Sequence, residues 1–220
     1  MSLKNLFFVT LTFFFIQNSF SQRNYDQYNR LGLTGGYTLF DINTSDLITK
    51  QGAGFIGGFT TRGSFRNNFD LIYGLAFFSN NVEIFGRNEF NSSETQFIDY
   101  NIQGVQINFL GSYNIIKHHL SLEFGPILSV SGKMKVDKDQ FKDYILEGYS
   151  NLKAKDIEGV SPVNFHVMGG ISGGLESVRI SAQYQYGVTN MFNGLNDDEL
   201  EFDDFKGNSS TIIFSIMVYF

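Results

Sequence analysis

The 220-residue chain contains no cysteine and no tryptophan, and only two of its residues are proline. Without cysteine it can form no disulfide framework, thiolate metal centre or thiol nucleophile. With so little proline, backbone ladders can run far without losing a donor. Histidine is scarce at three residues, which excludes a histidine-rich metal site. Basic residues are outnumbered by acidic ones, 16 to 22, for a formal charge of −6. Nucleic-acid binding wants a basic face, so it is not expected here. Beyond the N-terminal segment no apolar run approaches the ~20 residues of a spanning helix. That last absence excludes only helical membrane proteins. A mean hydropathy of −0.10 is also what strands average when one face is apolar and the other polar.

What the chain has in quantity is phenylalanine, 25 residues, and glycine, 23. Both suit closely paired strands with aromatic outer faces. The N-terminus reads as an export signal: Lys4 gives the positive start, Leu6 to Ile16 an apolar core, and Ser19-Phe20-Ser21 a small-x-small cleavage pattern. Residues 1–22 are therefore expected to be removed, leaving 23–220 as one barrel domain.

Eight runs of period-two alternation follow. Their apolar faces begin with Leu31, Leu33, Gly35, Tyr37 and Leu39, and continue with Ala53, Phe55, Gly57 and Phe59. The third carries Phe69, Leu71, Tyr73, Leu75 and Phe77, and the fourth Val105, Ile107, Phe109, Gly111 and Tyr113. The fifth is Leu120, Leu122 and Phe124, with Leu128 and Val130 beyond Pro126. Val163 to Ile171 and Val178 to Val188 make the next two, and Ile212, Phe214, Ile216, Val218 and Phe220 the last. Connections of about 9, 6, 16, 5, 28, 4 and 20 residues alternate long and short, as in outer-membrane barrels. The predicted fold is an all-β, eight-stranded antiparallel up-and-down transmembrane barrel with both termini periplasmic. Its terminal strand, ending on Phe220, is expected to close the barrel and to serve as its assembly signal. A soluble sandwich also alternates, but has no reason to keep every other connection tight; a soluble lipocalin-like binder is the further alternative.

Two irregularities are expected. Ile98, Tyr100 and Ile102 have the opposite parity to the rest of the fourth run, which predicts a β-bulge near Gln103-Gly104. Pro126 predicts a bulge or break in the fifth. In the third long loop, Phe141, Tyr144, Ile145, Tyr149 and Leu152 recur at near-helical spacing, which predicts a short amphipathic helix over the barrel mouth.

The opening L-G-L-T-G-G-Y-T at Leu31–Thr38, the G-F-I-G-G-F at Gly54–Phe59 and the final Tyr219-Phe220 resemble small outer-membrane barrels of the PorT-like family. The resemblance spans the chain from about Arg30 to Phe220. It implies an OmpA-like eight-stranded barrel in the envelope of a Gram-negative bacterium, and a link to a protein-secretion or envelope complex. The partners expected directly are outer-membrane lipid and the barrel-assembly machinery.

Candidates for chemistry lie on the faces opposite the apolar rows. Arg30, Arg62, Asp70, Glu123 and Arg179 all point inward near periplasmic ends, and isolated buried charge is costly. They are expected to form one network plugging the lumen, the alternative being a gate or proton path. His118 and His119 fall in or beside a periplasmic turn. His166 faces inward with Ser129 as a candidate neighbour and Glu123 several residues lower, but no G-x-S-x-G motif supports a nucleophile. The run Asp197, Asp198, Glu199, Glu201, Asp203 and Asp204 reads as an acidic solvated loop rather than a calcium site, since the spacing matches no EF-hand. Asn43, Asn91 and Asn208 begin sequons that matter only in a glycosylating host. No catalytic, metal or cofactor residue is assigned. The expected function is a non-enzymatic barrel, structural or accessory to secretion and surface assembly. The alternatives are a narrow solute pore or, further off, a lipid-modifying enzyme.

Overall fold

The structure, a computed structural model, describes residues 28–89 and 93–220. The signal segment, its cleavage site and Asn91 lie outside the described residues. The strands are β1 (Asn29–Asn43), β2 (Thr49–Arg66), β3 (Phe69–Arg87), β4 (Thr95–Ile116), β5 (Leu120–Ser131), β6 (Lys135–Val136), β7 (Ile145–Leu146), β8 (Val163–Gly174), β9 (Val178–Gly187) and β10 (Asn208–Tyr219). β1 to β5 and β8 to β10 form a ring in chain order, each strand antiparallel to the next. The ring closes where β10 returns to β1, from Gly32↔Tyr219 to Asn43↔Asn208. No edge is left in the ring, which is how a barrel satisfies its backbone in lipid. Each alternating run has become a strand with its apolar face outward. Phe55, Phe59, Phe77, Ile107, Phe124, Phe165, Ile180 and Phe214 are all exposed, Phe55 at 64%. A belt this apolar, continuous round a closed ring, makes the fold a transmembrane barrel.

The turns at one end are tight. Asn67-Asn68 joins β2 to β3, residues 117–119 join β4 to β5, and 175–177 join β8 to β9. Asn67 and His118 hold positive φ, 52° and 65°, in these turns. Asparagine tolerates that region better than most residues. The opposite end carries the long connections, including 132–162 and 188–207.

Three local expectations are corrected. No bulge interrupts β4 near Gln103-Gly104: its register with β3 runs unbroken from Phe69↔Tyr113 to Arg87↔Thr95. Ile98, Tyr100 and Ile102 simply continue the inward row of Gln106, Leu110 and Ser112, and are almost fully buried. Parity did not change along the strand; the surroundings did. Above Val105 the strand has left the bilayer, so the outer face turns polar with Gln103, Asn101 and Asp99, while the inner face packs on a core. The connection of about 16 residues expected between the third and fourth runs, 79–95, is for the same reason mostly hairpin. β4 alone has 22 residues, about 75 Å along its length against a hydrocarbon core of ~30 Å.

At Pro126 the expected break is present on the β4 side, where the pairs between Asn108↔Ile127 and Gly111↔Phe124 are missing, and the register is the same on both sides of it. Pro126 keeps all its pairs on the β8 side. The expected helix in 132–162 is replaced by β6, β7 and two 3-10 turns, Asp139–Phe141 and Ala154–Glu158. β6 and β7 extend the projecting edges of β4 and β3, at Tyr100↔Val136 and Gly86↔Leu146. Backbone pairing with those open edges outcompetes helix formation, since each bond also satisfies an edge group.

Candidate functional site in the barrel lumen

Inward side chains of the eight strands divide the lumen into four levels. The lowest, at the tight-turn end, is ionic. Arg62 on β2 reaches up between two carboxylates, with Nε 3.2 Å from Asp70 Oδ2 and a terminal nitrogen donating to Glu123 Oε1 at 3.1 Å. Register explains the convergence. Asp70 pairs with Ser112 and Ser112 with Glu123, so both acids lie on one row across β3, β4 and β5, and Arg62 also donates to the Ser112 hydroxyl between them.

Glu123 accepts further hydrogen bonds from Ser172 Oγ at 2.5 Å and Gln183 Nε2 at 3.1 Å. Gly170, directly opposite Glu123, makes the second possible: a Cβ there would stand 2.7 Å from Gln183 Cγ. Arg179 donates to Ser172 Oγ, Ser121 Oγ and the Ser172 and His118 carbonyls. It therefore meets Glu123 through one shared hydroxyl. Asn114 donates to Asp70 at 3.0 Å and accepts from Ser121 at 2.8 Å. Arg62, Asp70, Glu123 and Arg179 are all at most 4% exposed.

Arg30 is not part of this cluster. It stands at the rim, paired with Glu176 in the β8–β9 turn and stacked on the Tyr28 ring. The interior thus holds two arginines and two acids, a balanced set, instead of three against two. Sequence reasoning missed Tyr28, which covers the cluster from below. Burial beside the Asp70 carboxylate pushes its phenol well above the usual tyrosine range. Its backbone is tied to Ser64 in both directions. The serines, Asn114 and Gln183 were also overlooked, although the same inward parity marks each of them. His118 faces Glu176 at 3.7 Å and His119 Nδ1 lies 2.9 Å from the Gly174 carbonyl, both in the turn region expected for them.

Above the ions lies an apolar level. Ile72, Leu110, Ile127 and Met168 meet on the β3–β4–β5–β8 side, and Ile56, Ala76 and Ile213, with Phe78, on the other. The third level is polar and encloses a cavity of about 30 Å³, lined by Thr38, Asn80, Gln106, Ser129, His166 and Gln185 among others. That is room for about two waters. Here His166 Nε2 lies 2.9 Å from Ser209 Oγ on β10, not Ser129, which shares only the cavity wall. No carboxylate orients His166 Nδ1, which is buried without a partner.

The top level is a second apolar core built by loops. Val82, Ile84, Ile98 and Tyr100 of the projecting hairpin pack on Met134, Leu146, Leu152 and Ile157 from 132–162 and on Phe192, Leu195 and Phe205 from 188–207. Tyr100 OH donates to the Ala154 carbonyl and Tyr149 OH to that of Asp46, so three connections are joined. Within the acidic run, Glu201 accepts from the amides of Ser150, Asn151 and Leu152 at 2.6–3.0 Å. Those amides hold its carboxyl below the ordinary glutamate range. Asp204 pairs with Lys206. Among the described residues no group of three metal-ligating side chains converges. Asn43 and Asn208 face each other across β1 and β10, and the Asn208 amide is committed to the Gly187 carbonyl.

No family model and no curated protein matches the chain. Solved structures that resemble it include Neisserial surface protein A, at 12% identity and TM-score 0.48, covering 86% of this chain and 97% of the other. Ail, the attachment invasion locus protein of Yersinia pestis, in complex with sucrose octasulfate, gives 14% and 0.47 with 87% and 99% covered. The outer membrane protein OprG from Pseudomonas aeruginosa gives 13% and 0.44 with 88% and 97% covered. Likeness at that level carries no functional argument. The ring is read from the chain's own register.

Proposed function

We propose that this protein is a non-conducting, non-enzymatic barrel of the outer membrane of a Gram-negative bacterium. In this reading residues 1–22 are its export signal, its termini are periplasmic, and its capped end is displayed outside the cell. The observation that supports it best is the filling of the lumen. A solute would have to displace an ion cluster, an apolar level and a loop-built core in turn, and an eight-stranded barrel has room for little beyond its own side chains. A lipid hydrolase would need an oriented histidine open to lipid. His166 instead sits inside, under the cap, with no carboxylate on Nδ1.

What such a barrel offers its surroundings is the cap. Its ordered connections form a rigid platform suited to protein contacts at the cell surface, in keeping with the structural or accessory role in secretion that the PorT-like resemblance implies. The absence of cysteine gives a clean test of orientation. Asp203→Cys, in the cap, should react with a membrane-impermeant maleimide on intact cells. Ser177→Cys, in a tight turn, should react only after the envelope is opened. The reverse pattern would overturn the reading.

A further inference from the structure

At the third level of the lumen, buried polar atoms face a space instead of one another. His166 Nδ1 and Gln185 Oε1 have no hydrogen-bond partner among the described residues, and the two residues are only 7% and 5% exposed. Both line the cavity of about 30 Å³. They stand on neighbouring strands, His166 opposite Gly187 and Gln185 opposite Met168, and so are diagonal to each other across the β8–β9 pair. Side chains in that relation start roughly 7 Å apart, a gap that one or two small bridging molecules fill.

Close approach over glycine fixes the walls. His166 Nε2 lies 2.9 Å from Ser209 Oγ across β9 at Gly187, where a Cβ would stand 2.5 Å from Ser209 Oγ and 3.3 Å from His166 Cδ2. That bond holds the imidazole, so Nδ1 is not free to turn elsewhere. Beyond the β10–β1 seam, Thr38 Oγ1 donates to Asn80 Oδ1 at 2.6 Å across Gly54, where a Cβ would stand 2.6 Å from both oxygens. Phe40, Ile102 and Met191 of the loop-built core line the cavity from above. Ile56, Phe78 and Ile213 of the apolar level line it from below.

This lining decides what the space can hold. Among the described residues it contains no Asp, Glu, Lys or Arg, so an ion of either sign would be buried without a counter-charge, which is costly. One imidazole without a carboxylate or thiolate is a poor metal site, and the volume admits nothing larger than about two waters. A neutral molecule that both donates and accepts satisfies Nδ1 in either tautomer, and the carboxamide oxygen as well. We propose that this level is a water-binding site, in which an ordered pair of waters bridges His166 Nδ1 to Gln185 Oε1. The hydroxyls of Thr38, Ser129 and Thr211, in the same walls, complete the waters' hydrogen bonds. The pair is part of the filling of the barrel. With an apolar layer above and another below, it exchanges with bulk water only when one of those layers opens. The site stands whichever way the barrel faces.

A crystal structure of the folded barrel, at a resolution that shows ordered water, tests this directly. Two peaks should lie in the cavity, one within hydrogen-bond distance of His166 Nδ1 and one of Gln185 Oε1. A dry cavity, a direct hydrogen bond between His166 and Gln185, or a peak at metal-ligand distances would overturn the assignment. Oxygen-17 relaxation dispersion of the barrel in detergent reads the same site in solution. Wild type should hold long-lived waters, and Gln185→Met, which keeps the length of the side chain but not the acceptor, should lose at least one of them. His166→Phe should also lose at least one, and serves where Gln185→Met does not fold. Heat-modifiable migration shows which variants are folded. An unchanged number of long-lived waters in a folded variant would count against the bridge, and the crystal result stands without either variant.

Discussion

Glu123 carries the largest share of the ionic level: it accepts from Arg62, Ser172 and Gln183 and is 2% exposed. Removing it leaves two buried arginines facing one acid. Breaking one partner of a buried pair costs about 3–5 kcal/mol, less where water enters. Glu123→Ala should therefore melt well below wild type, and Asp203→Ala, in an exposed loop, should melt with it. Thermal unfolding in detergent, followed by gel migration, reads both. Equal melting would mean that the cluster contributes nothing.

The convergence of Arg62, Asp70, Glu123 and Arg179 was legible from parity alone, since each lies opposite an apolar row near a strand end. The rim position of Arg30 was not. It depends on the partner Glu176, which sits in a turn where no periodicity assigns a face. The pairing of His166 with Ser209 was equally hidden, because it links strands that alternation cannot place at relative heights.

Among the elements, the projecting β3–β4 hairpin taught most. The switch of its apolar residues from the outer to the inner face marks no bulge but the strand leaving lipid and acquiring an apolar core inside. Alternation identifies the two faces but not their solvents, and the loop core that buries Ile98 and Tyr100 comes from segments with no strand period, one of them with a near-helical spacing that the structure does not use. Ile157→Asp should accordingly loosen the cap and leave the ring intact. Protease should cut within 132–162 while the remaining barrel stays heat-modifiable; loss of the whole barrel would show the two to be one cooperative unit.

Glu201 gives the cap a pH dependence with a defined sign. Its folded carboxyl titrates below the ordinary glutamate range because three amides bind the anion. The latch is complete above that ordinary range and is lost as pH falls through the lowered folded value. Amide exchange in 150–152, corrected for its intrinsic pH dependence, should stay slow at neutral pH and lose protection in acid. In Glu201→Gln that protection should be weaker at neutral pH and should show no acid step. At the other end of the barrel, deleting Phe220 removes an exposed aromatic and the amide that bonds the Leu31 carbonyl at the β1–β10 seam. Lower outer-membrane abundance with unchanged transcript is expected, and wild-type levels of folded protein would count against an assembly role.

At the scale of the whole molecule, the closed ring and its outward belt followed from composition, alternation and the long-short rhythm of connections, because a barrel is the one way for such strands to leave no edge in lipid. How the inside is filled decides function, and that is settled by layers drawn from strands and loops together. The central claim is that those layers leave no continuous aqueous path. Single-channel recording of the folded, heat-modifiable protein in a planar bilayer tests it most directly. The account predicts no current above the bare-membrane baseline for the wild type. A stable ohmic conductance from the same preparation would contradict it.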